Sequence, residues 1–337
     1  QNGTFTDHLT EAFDHIAMFS MGGDVADINN DGLPDIVSLD MLPEGQYAQK
    51  MHSGADNFDK IDHLIRNGFF RQYSRNMLQI NNGDGTFSEC GQLAGVSNTD
   101  WSWSPLLFDF DNDGLKDLFV SNGYLRDHTD MDFLKFTEEE VMRIKKGEPN
   151  IAFADYMAKM PAINQPNYFY QNKGNLQFED KTKAWGLYVP SVSHGAVYAD
   201  FDNDGDLDIA TNMSNEEAGF YENRSNRIAS NHFVKIALKS PNPCNAAGLG
   251  SKVYLHAGTQ VFYQELQPVR GFQSCGSHQL HFGIGALPRV DSVVVIWNSD
   301  ERQVLTQCPL DQLTTIQQDL TAPKFKRKPP GVTLFKP

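Results

Sequence analysis

Several features are scarce in this chain of 337 residues, and each scarcity closes off a class of protein. No run of eighteen apolar residues occurs, so no membrane-spanning helix is expected. Positive charge is short: 28 Lys and Arg stand against 43 Asp and Glu, a formal net charge of −15, and no basic groove points to nucleic acid. Cysteine is too sparse for a disulfide scaffold. Of the four (Cys90, Cys244, Cys275 and Cys308), Cys244 and Cys275 either pair or remain separate small thiols. Catalytic signatures are missing too. There is no Gly-x-Ser-x-Gly or His-Glu-x-x-His stretch, and the histidines do not cluster at ligand spacing. A binding protein is expected rather than an enzyme. The opening Gln1-Asn-Gly-Thr-Phe-Thr carries no charged-then-apolar signal pattern.

What the chain has in excess is aspartate, concentrated in a nine-residue loop that occurs three times. It reads Asp27-Ile-Asn29-Asn-Asp31-Gly-Leu33-Pro-Asp35, then Asp109-Phe-Asp111-Asn-Asp113-Gly-Leu115-Lys-Asp117, then Asp200-Phe-Asp202-Asn-Asp204-Gly-Asp206-Leu-Asp208. Carboxylates or amides at positions 1, 3, 5 and 9, with glycine at 6, converge on one small space and repel one another unless a cation sits there. Calcium accepts about six to eight oxygens at such spacing, and the glycine permits the sharp turn. Side-chain ligation is therefore assigned to positions 1, 3, 5 and 9, with the backbone carbonyl of position 7 (Leu33, Leu115, Asp206) completing each of three calcium sites. An EF-hand would need Glu at position 12, but Ser38, Val120 and Thr211 stand there and strand-like sequence follows each loop. A loop of this kind implies millimolar calcium, hence an extracellular, periplasmic or cell-surface setting.

A second repeat runs beside the first. Asn81-Asn-Gly-Asp-Gly-Thr-Phe and Gln171-Asn-Lys-Gly-Asn-Leu-Gln-Phe are hairpin turns between apolar runs, and Gln1-Asn-Gly-Thr-Phe echoes them. Each unit thus has four strands: about 20–28, 35–41, 76–81 and 86–90 in the first, and 103–110, 117–122, 167–172 and 177–180 in the second. The third begins with 193–201 and 208–213. The loops start at residues 27, 109 and 200, wider apart than the roughly 40–50 residues of a compact propeller blade. Insertions between strands two and three take up the excess. They hold expected helices over Asn57 to Arg66, from a capping box at Thr137-Glu-Glu-Glu140 to Gly147, and over Ile151 to Lys159. Both insertions leave from the same point of a unit, so they should share one face.

The acidic loop between strands, paired with Asn-Gly-x-Gly-Thr-Phe turns, resembles the FG-GAP or VCBS repeats of β-propellers, the blade type also used by integrin α heads. After Ser230 the character changes. Asn231-His-Phe-Val-Lys-Ile-Ala-Leu, Gly248-Leu-Gly250-Ser-Lys-Val-Tyr, His281-Phe-Gly-Ile-Gly285 and Val293-Val-Val-Ile-Trp297 resemble an ASPIC/UnbV domain, and the combination is similar to the cartilage acidic protein family. The stretches Asp40-Met-Leu-Pro-Glu, Asp100-Trp-Ser-Trp and Asn122-Gly-Tyr-Leu-Arg-Asp look most like its large Bacteroidetes members, which implies a surface or secreted protein, including an outer-membrane lipoprotein. The expected architecture is all-β: propeller blades over residues 1–229, part of a larger, about seven-bladed ring; a small antiparallel β domain over 230–320; and a basic, proline-rich tail or linker over 321–337.

Candidate ligand-binding residues cluster near the insertions: Trp101 and Trp103 before the second loop, Tyr124 and Arg126 after its second strand, and Arg71 and Tyr73 closing the first insertion. Stacking aromatics with planar hydrogen-bonding groups suit a glycan or an extended peptide of a surface protein. Tryptophans packed between blades are the alternative. Three blades cannot close a ring, so the missing blades are expected from the same longer protein or another chain, and residues 1–8 are expected to form the edge strand of an unfinished blade.

Overall fold

The computed structural model describes residues 4–52, 58–163 and 165–326. Alternation and turns produce three β sheets in sequence, each built around one acidic loop. The first comprises β1 (Gly23–Ala26), β2 (Asp35–Ser38), β3 (Met77–Asn81) and β4 (Phe87–Glu89), paired antiparallel in that order. The second repeats the order with β5 (Asp100–Phe108), β6 (Asp117–Asn122), β7 (Tyr168–Asn172) and β8 (Phe178–Asp180), and Met41–Leu42 adds to its inner edge by pairing with Trp101 and Asp100. The third holds β9 (Ser193–Ala199), β10 (Asp208–Met213) and β11 (Gly219–Tyr221). Each acidic loop joins the first two strands of its blade. The strands are mostly shorter than the apolar runs suggest, because residues at the loop edges are held by side chains instead of ladder bonds.

Alternation along these strands makes the blades stack. Leu107, Leu118, Val120, Tyr168 and Tyr170 share a buried core with Ile28, Val37, Leu39, Leu78 and Ile80 of the first blade. Their neighbours Leu106, Phe108, Phe119 and Phe169 share another with Ala196, Leu207 and Ile209 of the third. The second blade is therefore apolar on both faces, and its large buried residues each contribute about 1.5–3 kcal/mol.

The carboxy-terminal strands form a sandwich. β12 (His232–Lys239) lies between β17 (Gln279–Gly285) and β20 (Leu313–Gln317), facing a sheet of β13 (Lys252–Ala257), β14 (Gln260–Glu265), β18 (Ser292–Ile296) and β19 (Arg302–Leu305). Its inner faces bury Val234, Ile236, Val253, Leu255, Phe282, Val293 and Trp297. The expected antiparallel domain is corrected in one place: β12 and β20 run parallel. A parallel pair needs a long crossover, and the whole of the other sheet lies between these two strands in sequence. All four cysteines are free thiols, with Cys244 and Cys275 both exposed.

Between β14 and β17 a hairpin, β15 (Val269–Arg270) with β16 (Ser274–Cys275), leaves the sandwich and enters the axis of the blades. It meets the inner strand of each one. Gly271 accepts from the backbone N–H of Gly23 (3.2 Å), and the Phe272 N–H donates to Ser104 Oγ (3.2 Å). Gly195 backs onto Ser274 and Phe272. Gly271 has φ +59°, and a Cβ there would stand 2.0 Å from Ser104 Oγ, so both the turn and the close approach require glycine. Beside it Arg270, largely covered, donates to the buried Asp24 Oδ1 (2.8 Å) and to the Val25 carbonyl (2.9 Å).

Three local expectations are revised. Residues 4–8 form no edge strand: they lead into a short helix, Leu9–Ala12, and Phe5 is fully exposed, while residues 1–3 lie outside the described residues. The long helix of the second insertion starts at Met131, six residues before the expected capping box. Asp130 is its N-cap and accepts from the Phe133 N–H (2.9 Å), whereas Thr137 bonds back to the Phe133 carbonyl. The first insertion has a helix at Gln46–His52 that was not anticipated, besides Phe58–Arg66. The insertions do meet, through His52 Nδ1 and Asp127 Oδ2 (2.9 Å). Of the basic tail, Lys324 is tied to the Ser299 carbonyl (2.6 Å) and ion-paired with Glu301, and residues 327–337 lie outside the described residues. Among the described residues no helix is long and apolar enough to cross a membrane.

Removing Arg270 leaves the Asp24 carboxylate buried and uncompensated. Arg270→Ala is therefore expected to destabilise the protein by about 3–5 kcal/mol. The exposed Arg289→Ala should stay within about 0.5 kcal/mol. Urea midpoints of the two variants measured side by side check this.

Candidate metal centre

The three loops share one internal hydrogen-bond pattern. The position-1 carboxylate accepts from the N–H groups of positions 5 and 6: Asp27 from Asp31 (3.1 Å) and Gly32 (2.9 Å), Asp109 from Asp113 (3.1 Å) and Gly114 (2.8 Å). Asp200 accepts from Gly205 (3.0 Å). Position 3 accepts from the N–H of position 5, through Asn29, Asp111 and Asp202. Position 5 accepts from the N–H of position 7, through Asp31, Asp113 and Asp204. Position 4 is asparagine in the left-handed region each time: Asn30 (φ 56°), Asn112 (φ 58°) and Asn203 (φ 64°). Asparagine tolerates that backbone better than most residues.

Position 9 ties loop to blade. Asp35 accepts from the N–H of Ile28 and of Asn81 (both 2.9 Å). Asp117 accepts likewise from Phe110 (2.9 Å) and Asn172 (2.8 Å), and Asp208 from Phe201 (3.0 Å) and Asn223 (2.8 Å). Each carboxylate oxygen keeps a second lone pair for a metal.

Carboxylate oxygens of Asp109, Asp111 and Asp117 lie within 4.8 Å of one another, and so do those of Asp200, Asp202 and Asp208. The first loop has Asn29 where the others have a carboxylate, and it is not among these groups. The electrostatics favour a cation among these carboxylates. Burial pushes the Asp27 carboxyl up to about 6 and Asp109 to about 7, the latter opposed by Lys116 and reinforced by Asp113 and Asp111. Asp117 is raised well above the carboxylate range by burial and then by Asp109 and Asp111. Buried Asp200 Oδ1 and Asp206 Oδ1 have no hydrogen-bond partner among the described residues. A donor set of hard oxygens, partly orphaned and mutually repelling, suits calcium rather than a soft metal.

The sandwich covers these loops. Lys235 of β12 forms an ion pair with Asp200, so a cation in the third loop would share that carboxylate with an ammonium. His281 of β17 is buried, stacked on Phe233 (5.3 Å, 16°) and hydrogen-bonded through Nε2 to Asn112 Oδ1 (2.6 Å). Burial pushes its pKa down to about 3, so it is neutral. Asn231 Nδ2 donates to the Asp111 carbonyl (2.8 Å) and the Gly285 N–H to the Asn112 carbonyl (2.8 Å).

The candidate ligand residues divide. Trp101 stacks on Tyr124 (4.3 Å, 12°), whose hydroxyl meets His128 Nδ1 (2.7 Å), and both rings are half-buried. Beside them lie buried Asp100, strained at φ +68°, and the His52–Asp127 pair. Trp103, also half-buried, is tied from more sides: its indole N–H donates to the Gly123 carbonyl (2.6 Å), and its ring meets His194 (4.8 Å) and Phe272 of the axial hairpin (4.9 Å). Arg126 is exposed and donates to the Met160 carbonyl (3.1 Å). Tyr73 belongs to the two-residue strand Gln72–Tyr73, parallel to Ile16–Ala17, and meets His15 (5.3 Å) and Arg75, while the Arg71 carbonyl accepts from the Ile16 N–H (3.0 Å). Sequence reasoning missed the position-4 and strand-end asparagines. Recurrence of Asn30, Asn112 and Asn203 at one loop position was the available signal.

Comparison with known families agrees with this geometry. The FG-GAP-like repeat matches residues 64–120 and 147–211, and the ASPIC and UnbV domain matches residues 241–322. The fold and the loops thus define a protein of FG-GAP-like propeller blades. More particularly, the chain belongs to those whose repeats are followed by an ASPIC and UnbV domain. No curated protein matches it.

The raised carboxyls set a pH dependence for the metal-free protein. Their folded pKa values lie above the unfolded value near 3.8, so between about pH 4 and 7 the folded state binds more protons than the unfolded state. Stability in chelator should therefore fall as pH rises through that window. Saturating calcium favours the ionised form and should remove or reverse the slope. Melting temperatures at about pH 5 and about pH 7.5, with chelator and with calcium, test this.

Proposed function

We propose that this chain is a non-catalytic, calcium-stabilised binding module of a cell-surface or secreted protein, with three structural calcium sites and a glycan as ligand. The observation that carries the metal reading is the convergence of carboxylates at the second and third loops within 4.8 Å, with Asp109 and Asp117 of the second loop buried where ionisation is opposed. Asp109, Asp111, Asp113 and Asp117 would hold the metal in the second loop, with the Leu115 carbonyl. Asp200, Asp202, Asp204 and Asp208, with the Asp206 carbonyl, would do so in the third. Asp27, Asn29, Asp31 and Asp35, with the Leu33 carbonyl, form the least acidic set. The glycan reading rests on the near-parallel Trp101–Tyr124 stack, a flat apolar surface edged by the polar His128.

Two other readings have support. The blade type suits protein–protein interaction in the integrin manner. The His52–Asp127 pair beside buried Asp100 suits a part in polysaccharide breakdown. A glycan array, partner capture and polysaccharide turnover, each with and without chelator, separate the three.

Calcium at a hundredfold excess over its dissociation constant should stabilise by about 2.7 kcal/mol per site. Asp113→Ala should lose most of one such increment in calcium and little in chelator. Asp130→Ala, which removes a helix cap, should cost about 1 kcal/mol in both. Equal calcium dependence of the two variants, read from melting curves, would contradict the ligand assignment.

Trp101→Ala should abolish retention on the array while costing only about 0.5–1.5 kcal/mol for the lost stack on Tyr124. Trp103→Ala, which opens a packed contact, should destabilise by about 3–5 kcal/mol. Unaltered glycan retention in a folded Trp101→Ala protein would dismiss the stacking site.

A further inference from the structure

Where the axial hairpin leaves the sandwich it closes over a cavity of about 510 Å³, walled by all three blades and by the sandwich. Its size and its mainly apolar lining, which includes Leu107, Leu207 and Leu280, are those of a small-molecule site. It reaches the surface beside Val269 and Gln279, both exposed.

The charged groups on the wall are accounted for with one exception. Asp24 is paired with Arg270, Asp200 with Lys235, and Glu265 with Lys252 (3.8 Å). Asp27 and Asp109 spend their oxygens on N–H groups of their own loops. Lys116 is 5% exposed, and its ammonium has no hydrogen-bond or ion-pair partner among the described residues; Asp109 feels its charge only from beyond ion-pair distance. Tyr198 of β9 is similarly placed. Its ring stacks on Phe108 (4.5 Å), and its hydroxyl has no partner among the described residues. A buried ammonium left without an acceptor is costly, and the loop does not demand a lysine there. Position 8 is Pro34 in the first loop and Leu207 in the third, both on the same wall.

We propose that this cavity binds a hydroxylated carboxylate of monosaccharide size. The carboxylate accepts from Lys116 Nζ, a hydroxyl meets the Tyr198 hydroxyl, and the ligand's C–H groups lie against the leucines. An anion is selected because Lys116 is the uncompensated charge of the wall. Hydroxyl groups are selected because polar side chains of both kinds, the Tyr198 donor and the Glu265 acceptor, stand among the apolar ones. Ring acids (hexuronates) and open-chain acids (hexonates) share this chemistry. Neither Trp101 nor Tyr124 lines the cavity, so the inference holds whatever ligand that stack takes.

The test is isothermal titration of the whole chain, in calcium-containing buffer, with glucuronate, galacturonate and gluconate, and with glucose, galactose and glucitol as their neutral counterparts. At least one acid is expected to bind, and its neutral counterpart at least about tenfold more weakly, as the loss of one hydrogen bond to a charged group implies. Lys116→Leu, which installs the residue of the third loop, should weaken the acid by at least about tenfold. Lys135→Leu, which removes an exposed lysine of the second insertion, should bind as the parent does. Should Lys116→Leu not fold, Tyr198→Phe, which keeps the stack and removes only the hydroxyl, is read in its place, with a severalfold loss expected. No binding of any acid, equal binding of an acid and its neutral counterpart, unaltered affinity in the folded cavity variant, or an equal loss in Lys135→Leu would each overturn the proposal.

Discussion

The carboxylate at the ninth loop position is the constraint on which the blades depend. Asp35, Asp117 and Asp208 each begin a second strand, yet each spends both oxygens on backbone N–H groups from elsewhere, one at the start of the loop and one at the end of the third strand. Loop and sheet cannot move apart without stranding buried donors, which costs about 1–3 kcal/mol for each group. The loop is thus a structural corner before it is a metal site. The same aspartate that would ligate a cation also sets where the third strand must end.

From that corner the blade-to-blade order follows. The residue fixed by position 9 at or just past the end of the third strand is always an asparagine (Asn81, Asn172, Asn223); each side chain donates to the carbonyl of position 8 in its own loop, and those of Asn172 and Asn223 also reach the preceding blade. Hydrophobic burial brings the blades together without choosing a register, because it is non-directional. The asparagine bridges choose it. A slip of one residue would break both bridges and turn Leu106, Phe108 and Phe119 away from the third blade.

Much of this was legible in the sequence. The loops announce themselves by spacing, and the Asn-Gly turns mark the outer hairpins, so strand order within a blade could be read directly. What escaped was set by distant partners. The helix of the second insertion was read from Thr137 and Glu140, but the apolar contacts of Phe133 with Tyr156 extend it back to Asp130, an equally good cap. The parallel pairing of β12 with β20 has no local signature, since periodicity cannot tell which edge a strand joins. Trp101 and Trp103 look equivalent in sequence. Both are half-buried, and only the partners tell them apart: the axial hairpin places Phe272 against Trp103, whereas Trp101 stacks on Tyr124.

That hairpin and the sandwich behind it make the carboxy-terminal domain part of the propeller's interior. Charge explains why. Blades that converge so many aspartates on one side accumulate repulsion at the loops, and they bury one more carboxylate, Asp24, near the axis. The sandwich answers with Arg270 at Asp24 and Lys235 at Asp200, two buried pairs made with long flexible side chains. Neither pair can form unless the sandwich is seated, and an unpaired carboxylate at either place would be costly to bury. At the third loop the Lys235 ammonium already offsets part of the charge on Asp200, so a cation there would add to a compensation that the second loop has from no ion pair of its own. The difference matters for docking, because a bound ion is lost to a chelator whereas Lys235 is lost only when the two domains separate.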